Sequence, residues 1–218
     1  MDNLAEVRAR MVNEQIASRG VTDARVLEAM RAVPRHEFVD TSDRVLAYSD
    51  RALAIGQRQT ISQPYMVAAM TEALALRQNA RVLEVGTGSG YQAAVLAMLA
   101  GEVISIERHE ALASQARERL QRLGYHNVRV VVGDGSFGWP ESAPYDGIIV
   151  TAGAPAVPDA LRQQLASDAK LVIPVGNEYL QHLLVVTRLG DRFEEQRGEA
   201  CAFVPLVGQR AWPDRHGA

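Results

Sequence analysis

The sequence predicts a doubly wound α/β fold on a mostly parallel sheet, with helices ahead of it and an antiparallel C-terminal edge. Three observations predict it. From residue 81 onward, short β-branched apolar runs alternate with stretches of helical pattern, as in βαβ units that share one sheet. The first run, Arg81-Val82-Leu83-Glu84-Val85, stops at Gly86-Thr87-Gly88-Ser89-Gly90, and a helical stretch begins directly at Tyr91. The second run, Glu102-Val103-Ile104-Ser105-Ile106, ends in an acid, Glu107.

The elements follow in order. Residues 6–19 and 23–33 read as two helices. The second has a cap in Thr22-Asp23, an apolar stripe of Val26, Leu27, Met30 and Val33, and a stop at Pro34. Residues 37–59 are mixed and loop-like. Pro64 fits the first turn of a helix running to about Leu76, with Ser62 or Gln63 at its mouth. Strands are predicted at 81–85, 102–106, 128–132, 145–150 and 170–174, and helices at 91–100, 109–123 and 157–165. A late pair, 182–188 and 192–203, reads as strands that add the antiparallel edge. The expected organisation is a single domain over 1–218: an N-terminal helical extension and approach loop over 1–60, an α/β core over 61–210 and a frayed tail over 211–218.

The chain has 218 residues, 47% hydrophobic and 22% charged, enough to bury a full core. A formal charge of −3 gives no basic footprint for nucleic acid. The single cysteine, Cys201, excludes an internal disulfide and a cysteine-built zinc site, and reads as a small buried apolar residue. His36, His109, His126, His182 and His216 are scattered, with no H-x-x-x-H pair, so no metal is expected. No apolar run approaches the roughly 20 residues of a membrane helix. The start of the chain, with its acids and arginines, is unlike a secretory signal, so a cytoplasmic location is expected.

In a doubly wound sheet, ligands sit outside the carboxyl ends of the strands, where the strand order reverses. Four strand ends should share that edge: Glu84 with Gly86, Thr87, Gly88, Ser89 and Gly90; Glu107-Arg108; Gly133-Asp134-Gly135; and Thr151-Ala152-Gly153. Glu107 lies 21 residues after Gly86, the spacing at which an acid meets a ribose diol in nucleotide-binding units. The glycine pattern is not that of a dinucleotide site. Tyr91 stands where G-x-G-x-x-G requires glycine, and there is no phosphate loop. A ligand without phosphates is implied, and S-adenosylmethionine fits. Asp134 is placed to accept from adenine's amine; its alternative is an ordinary Asp-Gly turn. The glycine turn could likewise do no more than close a βα unit.

With these residues placed, the chain resembles class I S-adenosylmethionine-dependent methyltransferases of Rossmann-like fold. Gln59-Thr60-Ile61-Ser62-Gln63-Pro64-Tyr65-Met66 narrows this to the protein-L-isoaspartate O-methyltransferases. So do Val82 to Tyr91, Gly133-Asp134-Gly135, Tyr145-Asp146-Gly147-Ile148-Ile149-Val150-Thr151-Ala152, Ile173-Pro174-Val175-Gly176 and Phe203-Val204-Pro205-Leu206. The stretches Met11-Val12 and Arg35-His36-Glu37-Phe38-Val39 are similar too. The resemblance implies methyl transfer from S-adenosylmethionine to the free α-carboxyl of isoaspartyl residues in damaged proteins and peptides. The ester recloses to succinimide, and hydrolysis returns some aspartate. It also implies an active-site role for Ser62, with Thr60 and Ile61 over the site, and cofactor contacts from Gly86 to Gly90, Glu107, Arg108, Asp134 and Gly135. Two positions depart from the family pattern: Arg58 stands where a glycine is common, and Val207 brings no hydroxyl. Because any damaged protein can be the substrate, an open site on a monomer is expected.

The residues suit that chemistry. A carboxylate of pKa about 4 is ionised at neutral pH and needs no general base. The protein's task is then positioning and partial desolvation, and a serine hydroxyl can hold one carboxylate oxygen while the other attacks. Ser62 could equally serve as a helix cap. Neither Ser89 with His109 nor Ser105 with His126 forms a hydrolase elbow. The residues alone leave open a different carboxylate acceptor, or a protein that binds the cofactor without catalysis.

Overall fold

The computed structural model describes residues 4–214. Both N-terminal helices are present. The first is α-helical over α1 (Leu4–Met11) and continues as a π-helical turn, Val12–Ile16, and a 3-10 turn, Ala17–Arg19. The next, α2 (Ala24–Ala32), starts at Asp23, whose side chain accepts the Arg25 N–H, and ends where Val33 turns extended before Pro34. The stretch expected as loop holds short 3-10 turns and a hairpin of β1 (Leu53–Ala54) and β2 (Thr60–Ile61). Two-residue strands are too short to show an alternation in sequence. Helix α3 (Pro64–Leu74) does carry Pro64 in its first turn, but neither Ser62 nor Gln63 caps it with a side chain. Asp50 does so from a distance, its Oδ1 accepting the Tyr65 N–H at 3.0 Å.

The core then alternates β3 (Arg81–Val85), α4 (Tyr91–Ala97), β4 (Glu102–Glu107), α5 (Glu110–Arg122), β5 (Val128–Val132), β6 (Tyr145–Val150), α6 (Asp159–Gln163) and β7 (Leu165–Gly176), before β8 (Gln181–Leu189) and β9 (Arg192–Cys201). These strands form one seven-stranded sheet in the order β5-β4-β3-β6-β7-β8-β9, parallel from β5 to β7 and antiparallel beyond. The predicted doubly wound sheet with an antiparallel edge is therefore the observed one. Strand β7 begins five residues earlier than expected, because Leu165 already pairs with Tyr145 across a register shift. Helix α6 is correspondingly short.

Alternation along the strands divides the core. Val82, Val103, Ile149 and Val172 turn toward Met66, Met70 and Leu74 of α3 and Leu96 of α4. Leu83, Val85, Ile104, Ile106, Ile148, Val150, Leu171 and Ile173 turn to the other face with Leu161 of α6. The N-terminal helices pack on α4 through Tyr91. Its ring meets Phe38 edge-on at 5.5 Å, and the fully buried Arg35 guanidinium lies 5.0 Å from its centroid. Arg35 Nε donates to the Ala47 carbonyl at 2.7 Å, and burial pushes its pKa down to about 10. The bulky residue that departs from the dinucleotide pattern is thus the dock for the N-terminal extension.

The end of the chain corrects one expectation. Ala211 to Asp214 do not fray. Trp212 donates its backbone N–H to Leu206 at 2.9 Å and its indole N–H to Gly153 at 3.1 Å, and Asp214 pairs with Arg108 at 2.5 Å. A half-buried indole with a satisfied N–H holds a terminus down. The rest of the expected tail, 215–218, lies outside the described residues. Among the described residues, no helix is long and apolar enough to cross a membrane.

Candidate active site

Strand order reverses between β3 and β6, and a cavity opens there at the carboxyl ends of β3, β4 and β6. It encloses about 900 Å³, mouth included. Its walls bring together Thr60, Ile61, Ser62, Gly86, Thr87, Gly88, Ser89, Glu107, Arg108 and Gly135 of the predicted set.

The glycine turn is built by close approaches. Gly86 has φ +101°, and a Cβ there would stand 2.4 Å from Thr151 Oγ1. Thr151 uses that hydroxyl to donate to the Gly86 carbonyl at 2.6 Å, clamping the end of β3 to the end of β6. At Gly88 a Cβ would come within 3.2 Å of Ile55, so the β1–β2 hairpin lies directly over the turn. Gln57 and Arg58, at the hairpin tip, have φ +48° and +56°. A glycine at position 58 would take that conformation without strain.

Glu107 organises the opposite wall. It is 5% exposed, and its two oxygens accept the backbone N–H groups of Gly88 and His109, each at 2.9 Å. Those donors are therefore committed to a carboxylate and are not offered to phosphate. Arg108 is turned to Asp214. The wall is acidic where a diol would lie and lacks a phosphate cradle, which fits an adenosine ligand without phosphates.

Three predicted residues stand elsewhere. Gly90 caps α4 in a left-handed conformation, behind the wall. Asp134 does not line the cavity. Its Oδ1 accepts from the backbone N–H and hydroxyl of Ser136 at 2.9 and 2.7 Å, and its Oδ2 accepts the Gln209 N–H at 2.8 Å. The turn reading of Asp134 describes these bonds, and the carboxylate also pins the C-terminal loop. Glu84 is fully buried beneath the turn, because β3 register sets it beside Ser105 rather than at the strand end. Ser105 hydrogen-bonds its Oε2, Thr87 lies 2.5 Å from Ser105 Oγ, and Glu84 Oε1 has no partner among the described residues. Burial raises its carboxyl to about 8.

A second cavity of about 690 Å³, mouth included, adjoins the first and shares Thr60, Ser62, Thr151 and Val204 with it. Its remaining walls are mostly small or apolar: Ala52, Met66, Ala200, Cys201, Ala202 and Phe203, with Gln63. Ser62 stands at the junction, and its hydroxyl makes no hydrogen bond among those described, so the cap reading of Ser62 has no bond behind it. Sequence reasoning missed Val67, Met70, Gln92 and His109 in the first wall. They come from inward helix faces and from the residue that caps α5, and no motif marks them. The second wall was missed because it is formed by residues far apart in sequence.

A family model described as protein-L-isoaspartate(D-aspartate) O-methyltransferase matches residues 6–211. The chain is 57% identical to protein-L-isoaspartate O-methyltransferase 2 of Marinobacter nauticus, over 97% of both chains. It is 54% identical to protein-L-isoaspartate O-methyltransferase of Trichlorobacter lovleyi, over 97% of this chain and 98% of that one. Among solved structures, a protein-L-isoaspartate O-methyltransferase superposes with TM-score 0.85 at 29% identity, covering 94% of this chain and 67% of that one. A candidate protein-L-isoaspartate O-methyltransferase of Plasmodium falciparum, in complex with S-adenosyl-L-homocysteine, superposes with TM-score 0.80 at 26% identity, covering 92% and 98%.

Proposed function

We infer how this chain, which belongs to the protein-L-isoaspartate(D-aspartate) O-methyltransferase family, divides its reaction between two adjoining cavities. It is a carboxyl methyltransferase that uses S-adenosylmethionine to methylate isoaspartyl residues in proteins and peptides, opening their return to aspartate through a succinimide. The first cavity takes the cofactor, with Glu107 at the ribose hydroxyls and the turn from Gly86 to Ser89 against the amino-acid portion. The second takes the isoaspartyl segment, and Ser62 joins them. The observation that carries this reading is the position of Ser62, an uncommitted hydroxyl where the two cavities meet.

S-adenosylmethionine supplies an electrophilic methyl on a sulfonium. The protein positions the nucleophile. Ser62 donates to one oxygen of the isoaspartyl α-carboxylate and leaves the other free for in-line attack. The walls of the second cavity contain no cation, so the carboxylate is held by neutral donors and keeps its nucleophilicity. Alignment of this kind is worth up to roughly 7–11 kcal/mol. Thr60 and Ile61, on the hairpin over the turn, close the site from above. The second cavity is open, which supports exposed segments of damaged proteins as its occupant; we place the reaction on a monomer in the cytoplasm, acting without nucleic acid.

Ser62→Ala tests the division. Turnover on an isoaspartyl peptide should fall while cofactor affinity by calorimetry is retained. Loss of cofactor affinity with unchanged turnover would make Ser62 a cofactor or structural residue.

A further inference from the structure

Beneath the cofactor wall lies a carboxyl that the reaction as described does not use. Glu84 is fully buried on β3, next to Ser105 on β4. Ser105 in turn meets Thr87, and Thr87 lines the first cavity. Three side chains thus form a hydrogen-bonded line from the cavity wall to the carboxyl. Its other oxygen has no partner among the described residues. The core on this side is mostly apolar, with Met66 and Met70 of α3 and Leu96 of α4, apart from Gln92 of α4, which donates to Thr71 of α3 at 2.9 Å, and Ile149 stands beside Glu84 on β6. Burial disfavours its ionisation most, the Ser105 hydrogen bond favours it, and the charge of Glu107 disfavours it.

The cofactor proposed for that cavity and its product differ in charge. The donor carries a sulfonium cation; the product is an uncharged thioether. We propose that Glu84 exchanges a proton with solvent through Ser105 and Thr87 as the cavity changes occupant, ionised beneath the sulfonium donor and protonated beneath the thioether product. The step balances simply. On donor binding, Glu84 passes its proton to Ser105, Ser105 to Thr87, and Thr87 to water or buffer at the cavity; on product formation the same sites run in reverse. With the carboxyl raised to about 8, most Glu84 is protonated at neutral pH before binding, so a cation has a proton to displace. The consequence is selective retention of donor over product. The inference rests on the assignment of the first cavity to the cofactor.

The test is calorimetry of the full chain with S-adenosylmethionine and with S-adenosylhomocysteine, at neutral pH, in two buffers of different ionisation enthalpy. The same titrations are run on Glu84→Gln, a near-isostere of the protonated carboxyl. Each ligand's own amine titrates alike in both proteins, so subtraction isolates Glu84. The expected result is release of a large fraction of a proton with the donor, little with the product, and loss of that difference in Glu84→Gln. In the wild type, the donor-to-product affinity ratio should also rise with pH, by at most about tenfold per unit below the free carboxyl's pKa. That pH series stands without the variant. Equal proton release for both ligands, or a difference that survives in Glu84→Gln, overturns the proposal. Failure of either ligand to bind would instead overturn the cofactor assignment beneath it.

Discussion

Glu107 holds Gly88 by its backbone: a carboxylate at the end of one strand accepts the N–H of the glycine turn that ends the neighbouring strand, at 2.9 Å. The acid thus shapes the turn as well as lining the cavity proposed for the cofactor. Glu107→Ala should weaken S-adenosylmethionine binding by about 1.5–3 kcal/mol, the cost of losing a charged hydrogen-bond partner. It should also lower Tm, since the Gly88 and His109 N–H groups lose their acceptor. Calorimetry and thermal unfolding read the two effects, and unchanged affinity would refute the ribose assignment.

Gly86 gives a sharper test of the turn. A Cβ there would lie 2.4 Å from Thr151 Oγ1 at a φ of +101°. Gly86→Ala should cost roughly 1–3 kcal/mol of stability from the backbone conformation alone and abolish detectable cofactor binding. Adding Thr151→Ala removes the clash but not the strain, so the double variant should recover only part of the loss. Full recovery would show that the backbone conformation is not strained.

Asp134 separates a structural acid from a ligand-facing one. Its oxygens are occupied by Ser136 and Gln209. Asp134→Ala should destabilise the protein by about 1–3 kcal/mol, through the unpaired donors of buried Ser136 and a freed C-terminal loop. Its effect on cofactor affinity should be smaller than that of Glu107→Ala. The opposite ranking of affinities, from parallel titrations, would return Asp134 to the cofactor.

Glu84 sets a pH dependence of stability that needs no ligand. Its carboxyl lies at about 8 in the folded protein against an ordinary 4.5. Between those values the native state holds more protons than the unfolded chain, so unfolding free energy falls as pH rises through that window. Glu84→Gln should remove this slope. It should match the wild type near pH 4.5 and exceed it at pH 9, by an amount on the order of a few kcal/mol. Denaturant melts at both pH values check this, and a parallel offset at the two would contradict it.

The sheet was legible because its strands announce themselves. Val82 to Val85, apart from Glu84, and Ile148 to Val150 are apolar and buried on both faces, and such strands read as apolar runs. The glycine turn and Glu107 were legible for the same reason the site works: they mark the ends of adjacent parallel strands. Legibility failed where position is set by distant partners. Asp134 sits at the expected strand end, yet Ser136 and Gln209 take its carboxylate. Trp212 is held by Gly153 and Leu206, which no local pattern near the C-terminus reveals. Glu84 carries the right residue type in the right motif, but strand register buries it one layer below the cavity.

The most direct measurement is methyl transfer from radiolabelled S-adenosylmethionine to two peptides of one sequence, one containing isoaspartate and one aspartate. The account predicts base-labile label on the isoaspartyl peptide alone, reduced by Ser62→Ala. Equal labelling of both peptides, or none on either with the cofactor bound, would contradict it.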